Sequence, residues 1–127
     1  MTAFSVRSVK NLAGVHPDLV AVMTEAIKAP PVDFAIIEGL RDIERQRKLA
    51  AAGATNTMNS RHLTGHAVDV AVFIDGEVRW DWPLYDILAV HIKNCAEKLK
   101  IPIEWGGDWK RFKDGPHYQL PWERYPK

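Results

Sequence analysis

Ser60-Arg61-His62-Leu63-Thr64-Gly65-His66-Ala67-Val68-Asp69 leads without a break into Val70-Ala71-Val72-Phe73-Ile74, and the pair Asp75-Gly76 follows. The run from Ala67 to Ile74 is short, apolar and rich in β-branched residues, which reads as a buried strand. Side chains alternate along a strand, so Val68, Val70, Val72 and Ile74 share one face, and Ala67, Asp69, Ala71 and Phe73 share the other. Asp69 is then a lone carboxylate among apolar neighbours. An unpaired buried carboxylate is strongly unfavourable, so Asp69 requires a cation, a metal or several hydrogen-bond donors. Two imidazoles, His62 and His66, lie where the chain enters this strand.

Working outward, Asp75-Gly76 suits a tight hairpin turn, after which Glu77 to Trp80 pairs back. Upstream, Val32, Phe34 and Ile36 alternate with Asp33 and Ala35, so Val32 to Glu38 reads as a second strand. Asp42 caps a helix running to about Ala52, with Gly53 as its stop, and 54–59 is a polar loop. His16-Pro17-Asp18 begins an earlier helix, with a stripe at Leu19, Val22, Met23, Ala26 and Ile27, ended by Pro30-Pro31. Residues 1–15 read as a mixed lead-in. Pro83 starts a further helix, with Leu84, Ile87, Leu88, His91, Cys95 and Leu99 on its inner side. Ile101 to Trp105 and His117 to Leu120 read as short strands, joined by a long loop carrying Trp109 and Phe112. Strands and helices mix without a βαβ rhythm, which predicts an α+β fold with a small antiparallel sheet flanked by helices.

The chain has 127 residues, enough for one domain with a real core, and residues 1–127 are read as that one domain. Its net charge of +1 gives no electrostatic argument for nucleic acid or an anionic membrane. A single cysteine, Cys95, excludes an internal disulfide. No run is long enough to span a bilayer, and the N-terminus lacks a secretory pattern. The expectation is a monomer, made in the cytoplasm without a signal peptide, whose export uses another route.

Catalytic zinc sites use three protein ligands and leave one position for water. His62, Asp69 and a later imidazole supply an N, O, N set of that kind, and His117, after Gly115-Pro116, is the best third candidate. Asp114, three residues before His117, is close enough to face the same water and to pass its proton to a leaving amine. There is no HExxH helix.

Several separated motifs add a resemblance. Ser60-x-His62-x-x-Gly65-x-Ala67-x-Asp69, then Glu104-Trp105-Gly106-Gly107-Asp108-Trp109, then Asp114-Gly115-Pro116-His117, resemble the D-Ala-D-Ala carboxypeptidase (VanY-type) zinc peptidases. The nearest branch is the phage endolysins that act as L-alanyl-D-glutamate endopeptidases. The resemblance covers about Val32 to Leu120. It implies the zinc peptidase fold shared with hedgehog signalling domains, and one zinc held by His62, Asp69 and His117. It implies Asp114 as general base, and Arg41 as the arginine that binds substrate and steadies the oxyanion. Gln46 matches a glutamine common in the following helix, and Ser60 and Trp109 join the substrate-contact candidates. Where the family usually has Ser-Gly-Tyr-Arg this chain has Glu38-Gly39-Leu40-Arg41. The implied substrate is the peptidoglycan stem peptide, reached by a phage enzyme after the inner membrane is breached, with a holin's help.

Plainer readings stand beside these. Asp69 can be a structural acid held by backbone amides. His66 is an alternative ligand, although the family pattern leaves its position free. His91 reads as a satisfied core histidine, His16 as a helix-start residue, Ser60 as a turn residue, and Arg41 as a surface arginine. Trp105 and Trp109 read as structural, with Trp109 a candidate wall of the cleft, and Arg45, Arg47 and Lys48 as a solvated helix face. For function, a bacterial D,D-carboxypeptidase or dipeptidase is the enzyme alternative, and a non-catalytic zinc-stabilised binding domain is the alternative from another class.

Overall fold

The computed structural model describes residues 4–53 and 60–126, so the polar loop expected at 54–59 lies outside the described residues. Among the described residues, strands β1 (Asp33–Glu38), β2 (Ala67–Ile74), β3 (Glu77–Arg79), β4 (Glu104–Trp105) and β5 (His117–Gln119) form one antiparallel sheet. Its order is β1-β2-β5-β4, with β3 also on β2. Helices α1 (Val6–Asn11), α2 (Pro17–Ala26), α3 (Ile43–Ala51) and α4 (Trp82–Leu99) accompany it, with 3-10 turns at Arg61–Thr64 and Gly106–Asp108. This is the α+β arrangement read from the sequence. Among the described residues, no helix is long and apolar enough to cross a membrane.

The central strand spans Ala67–Ile74, as its composition predicts, and the β2–β3 turn has Asp75 and Gly76 both at positive φ, 51° and 81°. That geometry matches the right-handed twist of the paired strands. One sheet face, with Phe34, Ile36, Val68, Val70, Val72 and Tyr118, packs on Leu19, Val22, Met23 and Ala26 of α2 and on Tyr85, Leu88 and Ile92 of α4. Truncating one of these, as in Leu88→Ala, costs about 2–5 kcal/mol. Helix α4 is rotated relative to the expected stripe: Ile87 is 48% exposed and Leu99 36%, while Tyr85, Ala89 and Ile92 face inward. The Tyr85 hydroxyl accounts for part of this, since it donates to Arg79 O and accepts from Val72 N–H, tying the helix to the sheet.

The lead-in holds a helix that the sequence reading missed. Ser5 caps α1, but Val6 and Val9 point to solvent, so no apolar stripe announces it. Its work is polar: Ser8 Oγ accepts from Ile36 N–H at 3.1 Å, and Asn11 Nδ2 donates to Ile36 O at 2.8 Å. These bonds satisfy the open edge of β1, which would otherwise present unpaired backbone groups. Beyond Ile36 the ladder is irregular, since Ile36 faces Val70 and Glu38 faces Asp69, leaving Ile37 as an extra residue. A bulge of this kind turns the strand and re-aims its side chains. It brings Glu38 to the face opposite Ile36. Asp69 in turn faces His117 on β5. Glu38, Asp69 and His117 therefore stand in a row across three strands, on the face away from the core.

Candidate active site

His62, His117 and Asp114 are brought to that row by local devices. His62 lies in the 3-10 turn capped by Ser60, whose Oγ accepts from His62 N–H at 3.2 Å. The turn ends at Gly65, φ 75°, where a Cβ would lie 2.4 Å from Gly14 O, so both backbone conformation and space demand glycine. Arg61 ties the turn to the tail: it donates to Leu120 O and Tyr125 O and lies over the Trp122 ring. His117 is carried in by β5, and Asp114 by the loop before it, where His117 N–H donates to Asp114 O. That loop closes on Gly106, where a Cβ would meet Asp114 O at 2.3 Å.

One ligand atom each from His62, Asp69 and His117 lies within 4.8 Å of the others. His62 Nε2 is 3.3 Å from Asp69 Oδ1, and His117 Nδ1 is 3.1 Å from the same oxygen. The far side of each ring is fixed. His62 Nδ1 donates to Gly39 O at 2.8 Å, and His117 Nε2 donates to Gln119 Oε1 at 2.7 Å. Each neutral ring thus turns a bare lone pair toward a carboxylate oxygen. That arrangement is unfavourable unless a cation, a proton or a metal, sits between them. Outer hydrogen bonds of this kind are what orient metal-binding imidazoles.

The two aspartates of the site are pushed in opposite directions. Burial alone would raise Asp69, but hydrogen bonds and charge from His117 and His62 outweigh it and hold the carboxyl well below the usual range. Burial raises Asp114, and the negative charge of Asp69 raises it further, against pulls from His117, His62 and Arg41. His117 is raised despite its burial, because Asp69 stabilises the imidazolium.

Arg41 is buried at the edge of this row. Its Nε and Nη2 donate to Glu38 at 3.1 and 2.6 Å, its Nη1 donates to Gln46 Oε1 at 2.7 Å, and Nη2 stands 3.9 Å from Asp69 Oδ2. A guanidinium has five N–H donors, so two remain for another acceptor. Gln46 is fully buried and touches the guanidinium. The Trp109 ring centroid is 5.1 Å from that of His117, at the rim. The remaining histidines lie elsewhere: His66 Nδ1 pairs with Thr64 Oγ1, His16 caps α2 and stands beside His66, and His91 Nε2 donates to Ala26 O.

Gly39, Gln119 and Glu38 are the site residues that sequence reasoning left without a role. The signal for Gln119 was its spacing: two residues beyond His117 on a strand, it shares that histidine's face.

Two imidazoles and a carboxylate converging on an open sheet face, with a raised carboxyl and a guanidinium beside them, define a candidate metal-dependent hydrolase centre on an α+β scaffold. The chain belongs to the family of phage L-alanyl-D-glutamate peptidases, whose model matches residues 1–120. It is similar to the solved structure of the Serratia marcescens L-Ala D-Glu endopeptidase ChiX, with 49% identity and a TM-score of 0.92 over 98% of this chain and 94% of that one. It is 30% identical to the L-alanyl-D-glutamate peptidase of Escherichia phage T5, over 87% of this chain and 84% of the relative. It is 35% identical to the Bacillus subtilis peptidoglycan L-alanyl-D-glutamate endopeptidase CwlK, over 84% of this chain and 73% of the relative.

Proposed function

We propose that this chain is a zinc-dependent endopeptidase that hydrolyses the L-alanyl-D-glutamate bond in peptidoglycan stem peptides. The observation that carries the reading is the convergence of His62 Nε2, Asp69 and His117 Nδ1, with the outer nitrogen of each ring already bonded. The donor set fits zinc: two imidazole nitrogens and one carboxylate make the three-ligand pattern of catalytic zinc, whereas calcium and magnesium favour all-oxygen sites. When bound there, the ion supplies Lewis acidity toward a carbonyl and toward water.

Asp114 is the proton carrier. Its raised carboxyl lets it accept a proton from the attacking water and return it to the leaving amine, so that the C–N bond breaks as the amine is protonated. Arg41 offers its two remaining N–H groups to the oxygen that gains charge as the carbonyl becomes tetrahedral. Glu38 and Gln46 act through Arg41, holding the fork so that it need not reorganise during the reaction. Trp109 walls the cleft beside His117, and Ser60 fixes the turn that presents His62.

The test is product analysis. Purified peptidoglycan treated with the zinc-loaded protein should release fragments with a new N-terminal D-glutamate, read by mass spectrometry, and chelation should stop the release. Release of terminal D-alanine alone would replace this reading with a carboxypeptidase. Zinc binding with no cleavage would replace it with a binding domain.

A further inference from the structure

Between Trp109 and Asp114 the chain reads Lys110-Arg111-Phe112-Lys113. Both feet of this segment are built into the site. The Trp109 ring stands beside His117, and the N–H groups of Trp109 and Asp114 both donate to Gly106 O, at 3.3 and 3.0 Å. The Trp105 indole N–H also holds Gly115 O at 2.7 Å. The tip is different. Lys110, Arg111 and Lys113 are exposed and make no ion pair among the described residues, whereas Arg45 and Arg47 of α3 are paired with Glu38 and Glu44. Phe112 is 72% exposed and sits at φ 53°, a left-handed conformation that a bulky side chain adopts only at a cost. The tip therefore holds three cations without an ion pair among the described residues and an exposed aromatic ring on strained backbone, on hydrogen-bonded feet beside His117 and Asp114.

We propose that this tip recognises the carboxylates of the peptide on the amine side of the scissile bond. The proposal rests on the L-alanyl-D-glutamate reading above. In that substrate the acyl side is a neutral alanine. The amine side begins with a glutamate that keeps one free carboxylate once the other is in peptide linkage, and the peptide ends in a second. The negative charge is thus all on one side of the bond. Within the site, Arg41 is already engaged by Glu38 and stands 3.9 Å from Asp69, and among the described residues Lys110, Arg111 and Lys113 are the cations without an ion pair nearest in sequence to Asp114 and His117. Exposed attraction of this kind is screened within a Debye length of ~8–10 Å at ordinary salt, so it acts on substrate at the rim and weakens as salt is added.

The experiment compares peptidoglycan before and after carbodiimide amidation of its free carboxylates, cut by the wild type and by Lys110→Gln/Arg111→Gln/Lys113→Gln. At low salt the wild type should prefer the unmodified wall by roughly 10-fold in kcat/KM, the scale of a few exposed ion pairs. The triple variant and high salt should each bring the preference close to one. Arg7→Gln/Lys10→Gln, the same kind of charge loss on helix α1 at the opposite edge of the sheet, should keep it. Zinc content and thermal midpoint check that the triple variant is folded; if it is not, the three single variants should show graded losses. A wild type that cuts the unmodified wall at the expected bond without preference, or a folded triple variant that keeps the preference, overturns the loop proposal and leaves the proposed function standing. A wild type that cuts neither wall overturns both.

Discussion

Asp69 and Asp114 are the same side chain in opposite surroundings. Asp69 lies between two imidazoles that stabilise its charge, and its carboxyl is driven down. Asp114 is half-buried, faces that charge from a loop, and is driven up. The first is held toward its ionised form and suited to holding a cation; the second is pushed toward its protonated form and suited to moving a proton. Pairs of carboxyls whose environments push them apart in this way mark a division of labour in a site. The difference here comes from position in the sheet. Asp69 is on the central strand, with β1 and β5 supplying neighbours on both sides, whereas Asp114 sits on a loop held by backbone bonds.

The sharpest way to break the contrast is to neutralise each partner. Asp114→Asn should keep zinc and fold but lose ~100- to ~10,000-fold in kcat, the usual contribution of a general base. Asp69→Asn should lose zinc together with hydrolysis. Metal analysis beside turnover separates them, and zinc loss from Asp114→Asn would show that the two carboxyls share one role. A smaller effect is expected at Arg41, where lysine keeps the charge but not the fork. Arg41→Lys should cost ~10- to ~1,000-fold in kcat/KM if it donates to the oxyanion. A rise in KM alone would assign it to ground-state binding.

Next comes the support of Asp69's neighbour. Gln119→Leu removes the acceptor that fixes the His117 tautomer, and should weaken zinc binding ~10- to ~100-fold in a chelator competition. An unchanged affinity would mean that β5 alone orients the ring. The smallest effect concerns stability against pH in the metal-free protein. The pKa of His117 is raised in the folded state, so its pairing with Asp69 stabilises fully below the unfolded value of about 6.5 and is lost as pH rises through the folded value. The thermal midpoint of the metal-free protein should therefore lose this increment on the alkaline side, and His117→Ala should flatten the change.

Much of this frame was legible because short-range rules decide it. Asp42 caps α3 and Pro17 starts α2 where local preference places them, and Ala67–Ile74 is β-branched along its length. The cluster of His62, Asp69 and His117 was anticipated because a buried carboxylate needs a cation and the histidines stand near it. What escaped was set by tertiary geometry. Simple alternation along β1 puts Glu38 on the core face with Phe34 and Ile36; the extra residue Ile37 reverses that, and nothing in the local composition marks a bulge. Helix α1 is too short for periodicity and exists to satisfy an edge. The outer partners of the site's imidazoles were equally hidden: that Gly39 O meets His62 across 23 positions is a long-range fact.

The row Glu38, Asp69, His117 also bears on how the chain folds. Asp69 and His117 are 48 positions apart, and both pairings of β2 that build the row join distant segments. Such closures are slow compared with the local formation of α4 or the β2–β3 hairpin. A slip of β5 by one residue would turn His117 toward the core and bring Tyr118 out. A cation captured by His62, Asp69 and His117 can hold only the correct alignment, so it acts after the register is set and chiefly slows the chain's return to the unfolded state. The candidate metal centre would thus act as a latch on the finished sheet rather than as a guide to its assembly.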